Sequence, residues 1–236
     1  MITHGDIPGY LSVADAAQRL GVGSHRVYEL IKSGMVDAQK VSERTTLVEA
    51  TSLLRYQAFG RKAGRPFGPS MAMGALWILS GVEAFWLSYH QRRRALQALK
   101  DFSAEDLAAK CRRRAKVVRL RIDDSFVDEA MSVMRPSGLS MLDFYDFDLI
   151  LSKSIYEGYI DAVELSRLRE RCFAESDSRG NLILHVAEGS YLEGASPMPE
   201  AVVALDLAES LDIRTRRAGL EKLEELIDGR KSGLYR

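Results

Sequence analysis

LSVADAAQRLGVGSHRVYELIKSGMVDAQKVSER, residues 11–44, holds two short helical periods separated by glycine and followed by a stretch that alternates. Ser12 and Asp15 form a capping-box-like start, a hydroxyl for an orphan amide and a carboxylate at the positive helix end. Val13, Ala16, Ala17 and Leu20 recur at helical spacing and predict one narrow apolar stripe. Gly21-Val22-Gly23 ends this first helix, and Val22 is expected to plug the space beside the second. Ser24 is expected to cap that second helix, with Val27, Leu30 and Ile31 facing inward, until Ser33-Gly34 stops it. Residues Val36 to Val41 and Thr46 to Val48 then predict a two-stranded wing around Ser42-Glu43-Arg44.

This spacing leaves Ser24, His25, Arg26, Glu29 and Lys32 on the outward side of the second helix, with Tyr28 at its margin. A short helix delivered by a tight turn is the geometry that enters a DNA major groove. Arg26 is the expected base-edge contact, because a guanidinium matches the acceptor pair of guanine. Lys32 is the expected phosphate contact. His25 fits either a base contact or a plain surface position, and Tyr28 either a half-core residue or a phosphate ligand.

The motifs SVADAAQRLGV, RVYELIKSGMVDAQKV and TTLVEA resemble the excisionase and MerR-type winged helix-turn-helix family over about a fifth of the chain. Asp15 stands where glutamate is usual, a change that keeps the capping chemistry. Glu43 puts an acid at the wing tip where a cation would be expected, which leaves Arg44 as the wing's only phosphate contact. The resemblance implies a double-stranded operator as partner. A head of this size touches few base pairs, so a homodimer on half-sites about one helical turn apart is expected.

The whole chain has 236 residues, long enough for more than one core, and 46% hydrophobic with 28% charged residues fits a globular protein. Its two cysteines, Cys111 and Cys172, lack metal-ligand spacing and suit a reducing, cytoplasmic setting. No secretory signal is read ahead of the first helix. A formal charge of zero conceals a division along the chain. Residues 1–70 hold nine Lys/Arg against six Asp/Glu, residues 91–121 eleven against three, and residues 122–236 thirteen against twenty-three. The front suits a polyanion and the back is repelled by one.

The expected fold class is α+β: a winged helix-turn-helix over 1–59, a linker over 60–69, a helical segment over 70–115 and a mixed α/β partner-binding domain over 116–236. Ser70 to Tyr89 carries one charge in twenty residues. The Ser80-Gly81 break and Glu83 favour a buried helical hairpin over a membrane span. Helices are predicted over Met71–Leu79, Val82–Leu99 and Ser103–Arg114, the last two containing the triplets Arg92-Arg93-Arg94 and Arg112-Arg113-Arg114. Strands are predicted at 117–122, near 158–160 and over Asn181–Val186, with helices at Ser125–Met134 and Ala162–Phe173. Ser196-Pro197 is expected to open one C-terminal helix and Asp212 to cap another.

Four scattered histidines, and the absence of a phosphate loop, a nucleophile elbow or CxxC, argue against an enzyme, and neither cofactor nor metal is expected. Asp143, Asp146 and Asp148 lack the glycine turn and closing glutamate of a calcium loop. His185 is expected to be a strand residue satisfied by a neighbour, and Asp206, Glu209 and Asp212 are expected not to converge.

RRRAKVVRLRID, YEGYIDAVELSRLRERC, GNLILHV and AVVALDLAESLDIRTRRAGLEKLEEL follow one another in the order seen in antitoxins of the abortive-infection AbiE type, which the back half resembles. Asn181, Leu182, Leu184 and Val186 match the strand of that pattern, and Asp206 and Leu207 its "DL" pair. Arg214, Arg216 and Arg217 match its arginine cluster. The resemblance implies a non-enzymatic regulator that represses its own operon and neutralises a nucleotidyltransferase-like toxin, with Asp206, Arg214, Arg216 and Arg217 at the partner surface. The alternative is a stand-alone transcriptional regulator whose C-terminal domain senses a ligand or dimerises.

Overall fold

The computed structural model describes residues 9–42, 45–59, 65–149, 155–177 and 179–232. The chain is mixed α+β and divides into two compact units, Met1–Ala63 and Gly64–Arg236.

In the first unit, β1 (Tyr10–Ser12) leads directly into α1 (Val13–Leu20), whose N-cap Ser12 accepts the Asp15 amide. Gly21 ends α1 with φ 66°, a left-handed conformation that glycine adopts without a Cβ penalty. Its successor Val22 does not plug the interior: it is exposed, because its amide is drawn back to the Ala17 carbonyl by the helix-ending turn. Helix α2 (Ser24–Lys32) starts one residue earlier than the sequence suggests. Gly23, not Ser24, is the N-cap, and no side chain caps this end.

Strands β2 (Ala38–Lys40) and β3 (Thr46–Glu49) pair antiparallel. The sequence did not predict β1, which completes a three-stranded sheet by pairing with the other edge of β3, Leu11 opposite Val48. Its three residues are too short for a period to register. Helix α3 (Ala50–Phe59) closes this unit. The core is Val13, Ala16, Ala17, Leu20, Val27, Leu30, Val36, Val48 and Leu53, with Ile31 packed at its edge.

The second unit begins with α4 (Pro69–Leu79), buried on every side from Met71 to Leu79. No helix among the described residues is long and apolar enough to cross a membrane. The expected second helix, Val82–Leu99, is shortened at its start: α5 (Tyr89–Asp101) begins seven residues later than Val82. Ser88 decides this locally, since its hydroxyl accepts the Gln91 amide at 3.3 Å while the Gln91 side chain accepts the Ser88 amide at 2.9 Å. Helix α6 (Ala104–Cys111), capped by Ser103, precedes β4 (Lys116–Arg121).

After β4 come α7 (Val127–Val133), β5 (Arg135–Pro136), β6 (Tyr156–Ile160), α8 (Ala162–Arg171), β7 (Glu175–Ser176) and β8 (Leu182–Val186). The sheet order is β5-β6-β8-β4-β7, with β6 and β8 parallel and the other pairs antiparallel. Leu120, Ile122, Ile160, Leu168, Leu182 and Leu184 are among the residues packed between the sheet and α7 and α8.

Helix α9 (Glu200–Ala208) starts at the N-cap Pro199, so Ser196-Pro197 does not open it. The Ser196–Pro197 bond is cis, outside helical geometry. Helix α10 (Ile213–Lys231) is capped by Asp212. Side chains tie these helix ends together: Ser80 accepts the Ala201 amide, Glu224 the Ala104 amide, and Arg230 donates to the Ile78 carbonyl. These contacts satisfy orphan groups at helix termini that would otherwise be buried unpaired. Gly219 lets α10 lie directly on α9, since a Cβ there would sit 2.3 Å from the Ala208 amide nitrogen.

Candidate functional site

Two groups of polar residues stand apart from the rest, one on the surface of the first unit and one inside the second.

On α2, Val27 and Leu30 anchor the helix in the core and turn Ser24, His25, Arg26, Tyr28, Glu29 and Lys32 outward, all of them exposed. His25 is the extreme, with its side chain 92% exposed. Arg26 lies one turn before Glu29 and its Nη1 donates to Glu29 Oε2 at 2.8 Å. His25 Nε2 stands 3.6 Å from the other oxygen of the same carboxylate. The hydrogen bond from Arg26 holds the Glu29 carboxyl below its ordinary pKa. Arg26 is held above its ordinary value by Glu29 first and by Tyr56 of α3 second.

Lys32 adds a cation in the last turn, and the amides at the other end receive no side-chain cap. The result is a helical face with three basic side chains around one acid. Such a face can exchange an internal carboxylate partner for a phosphate or a base edge. Arg44 lies outside the described residues.

The second group was missed by the sequence reading. Arg114, just beyond α6, is 2% exposed, and its guanidinium meets Asp206 of α9 and Glu209, the residue that caps the end of α9. Its Nη1 and Nη2 donate to the two Glu209 oxygens at 3.0 and 3.1 Å, a bidentate pair. The Nε and Nη2 also reach Asp206 Oδ1, the former at 3.2 Å. Tyr159 on β6 accepts from Arg114 Nε at 2.7 Å and donates to Asp206 Oδ1 at 2.9 Å. The Ser137 hydroxyl donates to Asp206 Oδ2.

The Tyr159 ring stacks on His185 of β8, centroids 4.7 Å apart and planes 18° from parallel. His185 Nε2 pairs with Glu157 Oε1 at 2.8 Å, while its Nδ1 has no hydrogen-bond partner and lies 3.8 Å from Asp206 Oδ1. Glu157 Oε2 accepts the Leu139 amide at 2.9 Å, and a Cβ on Gly138 would occupy the space of this carboxylate. One donor atom from each of Glu157, His185 and Asp206 lies within 4.8 Å of the others, the one such group among the described residues.

Burial opposes the charge of Arg114, but Glu209, Tyr159 and Asp206 outweigh it and hold the guanidinium well above its ordinary pKa. Burial likewise drives the Tyr159 phenol well above its usual range, Arg114 opposing and Asp206 reinforcing the shift. Arg114, Ser137, Glu157, Tyr159, His185, Asp206 and Glu209 are all buried.

The expectation that Asp206 and Glu209 diverge is corrected. Residues three apart share a helix face, and one guanidinium is broad enough to engage both. Asp206 is also corrected as a partner contact: its side chain is 0% exposed and its oxygens are spent on Arg114, Tyr159 and Ser137. Arg216 turns back to the Ser210 and Leu211 carbonyls at 2.9 and 3.1 Å. Arg214 and Arg217 do face outward, Arg217 pairing with Glu221 at 2.7 Å, and Leu211 and Ile213 are exposed beside them. Asp143, Asp146 and Asp148 are exposed carboxylates that do not gather.

One sequence signal pointed to the buried centre. Asp206 is the single acid within AVVALDLA, a run buried from Ala201 to Ala208. An acid inside such a helix demands a partner. Compared with protein-family models, curated proteins and solved structures, the chain matches none.

Proposed function

We propose that this chain is a DNA-binding antitoxin: a winged helix-turn-helix head binds the operator of its own operon, and the C-terminal unit neutralises a cognate nucleotidyltransferase-like toxin. The observation that carries the DNA half is the outward face of α2, where His25, Arg26 and Lys32 are exposed together beside an uncapped helix start. A helix N-terminus favours anions, and Arg26 has the fork geometry for guanine. The toxin half rests on the AbiE-type motif order. The exposed Leu211–Ile213 turn, flanked by Arg214 and Arg217, supports it as an apolar surface with cationic borders.

Fluorescence anisotropy with duplexes from the protein's own upstream promoter, at low ionic strength, tests the first half. Arg26→Ala is expected to weaken binding to the operator by about 1–3 kcal/mol and to relax discrimination at one position. Lys32→Ala is expected to weaken binding to all sequences alike and to reduce the salt slope by about one. An intact chain that ignores these duplexes overturns the proposal. Co-expression with the neighbouring gene tests the second half: a chain that binds its promoter yet fails to relieve growth arrest is a stand-alone regulator.

A further inference from the structure

Helix α5 is anchored by Ala95 and Leu99 and leaves Tyr89, His90, Arg92, Arg93, Arg94 and Lys100 exposed. Its sequence YHQRRRALQALKD holds four cations against one acid, Asp101. Residues from 122 onward carry a surplus of acid, so this density of cations is not the average surface of the second unit. At the pitch of an α-helix, Tyr89, Arg93 and Lys100 fall within about 40° of one another around the axis. They form a stripe about 16 Å long, with half-buried Leu96 between Arg93 and Lys100.

Arg93 and Lys100 have no hydrogen bond or ion pair among the described residues. The acids nearby are already engaged: Gln97 donates to Asp101 at 3.3 Å and Arg92 to Glu83 at 3.3 Å. On the flank, Arg92 stands close to Arg230 of α10, and its charge, after burial, holds that guanidinium below its ordinary pKa. Like charges gathered in this way attract an anion.

The same end of the helix carries aromatic rings that the fold leaves in solvent. Tyr89 is 73% exposed, and Phe85, in the turn before α5, is 56% exposed. Tyr89 meets the neighbouring His90 edge-on, centroids 5.7 Å apart, so most of its ring stays open. Such a ring can stack on a nucleobase, and a base offers its face only where it is unpaired. Cations that track phosphates beside open aromatic rings are the arrangement of a single-strand binder.

We infer that the outward face of α5 binds single-stranded nucleic acid, with Arg93 and Lys100 along the phosphates and Tyr89 against an unpaired base. This surface belongs to the second unit and does not rest on the duplex-binding role proposed for α2.

The test uses the full chain carrying Arg26→Ala and Lys32→Ala, so that the α2 cations are absent throughout and failure of the α2 reading leaves the result untouched. Anisotropy at low ionic strength follows a fluorescein-labelled oligothymidylate of about ten nucleotides, and separately a duplex of the same length. Tyr89→Ala is expected to weaken binding of the single strand by about fivefold to a hundredfold, with Tyr89→Phe near the parent. Duplex binding should not respond to either change. Arg93→Ala and Lys100→Ala are each expected to lower the magnitude of the salt slope by about 0.7. All three side chains are exposed, so thermal unfolding should be the same in every variant. Absence of single-strand binding overturns the inference. So does a Tyr89→Ala chain that binds the single strand as the parent does, or that loses single strand and duplex equally.

Discussion

Arg26 and Arg114 each hold a carboxylate with near-identical hydrogen-bond lengths, 2.8 Å to Glu29 and 3.0 Å to Glu209. The surroundings make these two pairs different objects. The Arg26 side chain is 54% exposed, so its pair with Glu29 sits in high dielectric, is screened by salt and contributes little to stability. Arg114 is 2% exposed and its acids are buried with it. The first pair can be traded for another partner at small cost, which is what a binding face requires. The second cannot be opened without stranding charge, which is what a structural centre requires. The same two residue types thus make an exchangeable pair in one unit and a fixed one in the other.

The sharpest way to break this contrast is Arg114→Leu. Removing the guanidinium leaves Asp206 and Glu209 buried without their cation, and losing one partner of a buried pair costs about 3–5 kcal/mol. Urea unfolding monitored on Trp77 and Trp86 of the second unit should show this as a large fall in the transition midpoint. A variant within about 0.5 kcal/mol of wild type would mean that the buried acids do not depend on Arg114, and the distinction between the two pairs would collapse.

How much of this was legible depends on how far apart the interacting residues lie. The α2 face could be read because Val27 and Leu30 recur at helical spacing within nine residues, and exposure of the rest follows from that period. The start of α5 could not, because an apolar run from Ala84 to Leu87 outweighed the local pairing of Ser88 with Gln91. The buried centre was least legible of all. Arg114 is 92 residues from Asp206 and 45 from Tyr159, and no periodicity spans such distances. Within a triplet of arginines, nothing local separates Arg114 from its neighbours. Only its position after α6, facing α9, does so.

A second test titrates the interior of the larger unit. Burial pushes the Cys111 thiol up to about 12, and Tyr159 is raised as well. Both groups are neutral when protonated, and a folded pKa above the unfolded value means that the unfolded chain releases its proton first. Stability is therefore full below about pH 9 and falls as pH rises toward 12, by about 1 kcal/mol per pH unit for the thiol alone. Tyr159 adds to this slope once the phenol of the unfolded chain ionises, near pH 10. Cys111→Ala removes the first contribution, so its alkaline decline should begin about one pH unit later than that of wild type. Coincident declines in the two proteins would show that the thiol is not shielded as its burial indicates.

The smallest expected effect falls on the exposed pair and is the most informative about recognition. Glu29 is the one acid on the outward face of α2, and it engages both Arg26 and His25. Near phosphate it acts in two ways: it repels the backbone directly, and it keeps the Arg26 fork turned along the helix. Glu29→Gln removes the charge while keeping an oxygen acceptor and the side-chain length. Affinity for duplex DNA is expected to rise by about threefold to tenfold, the modest scale of an exposed pair. The gain should shrink with added salt, because part of it is relief of long-range repulsion. Should affinity fall instead, Glu29 is itself a base-reading residue, accepting from a cytosine amino group. Arg26 would then be a brace for that carboxylate and not the reader of the face.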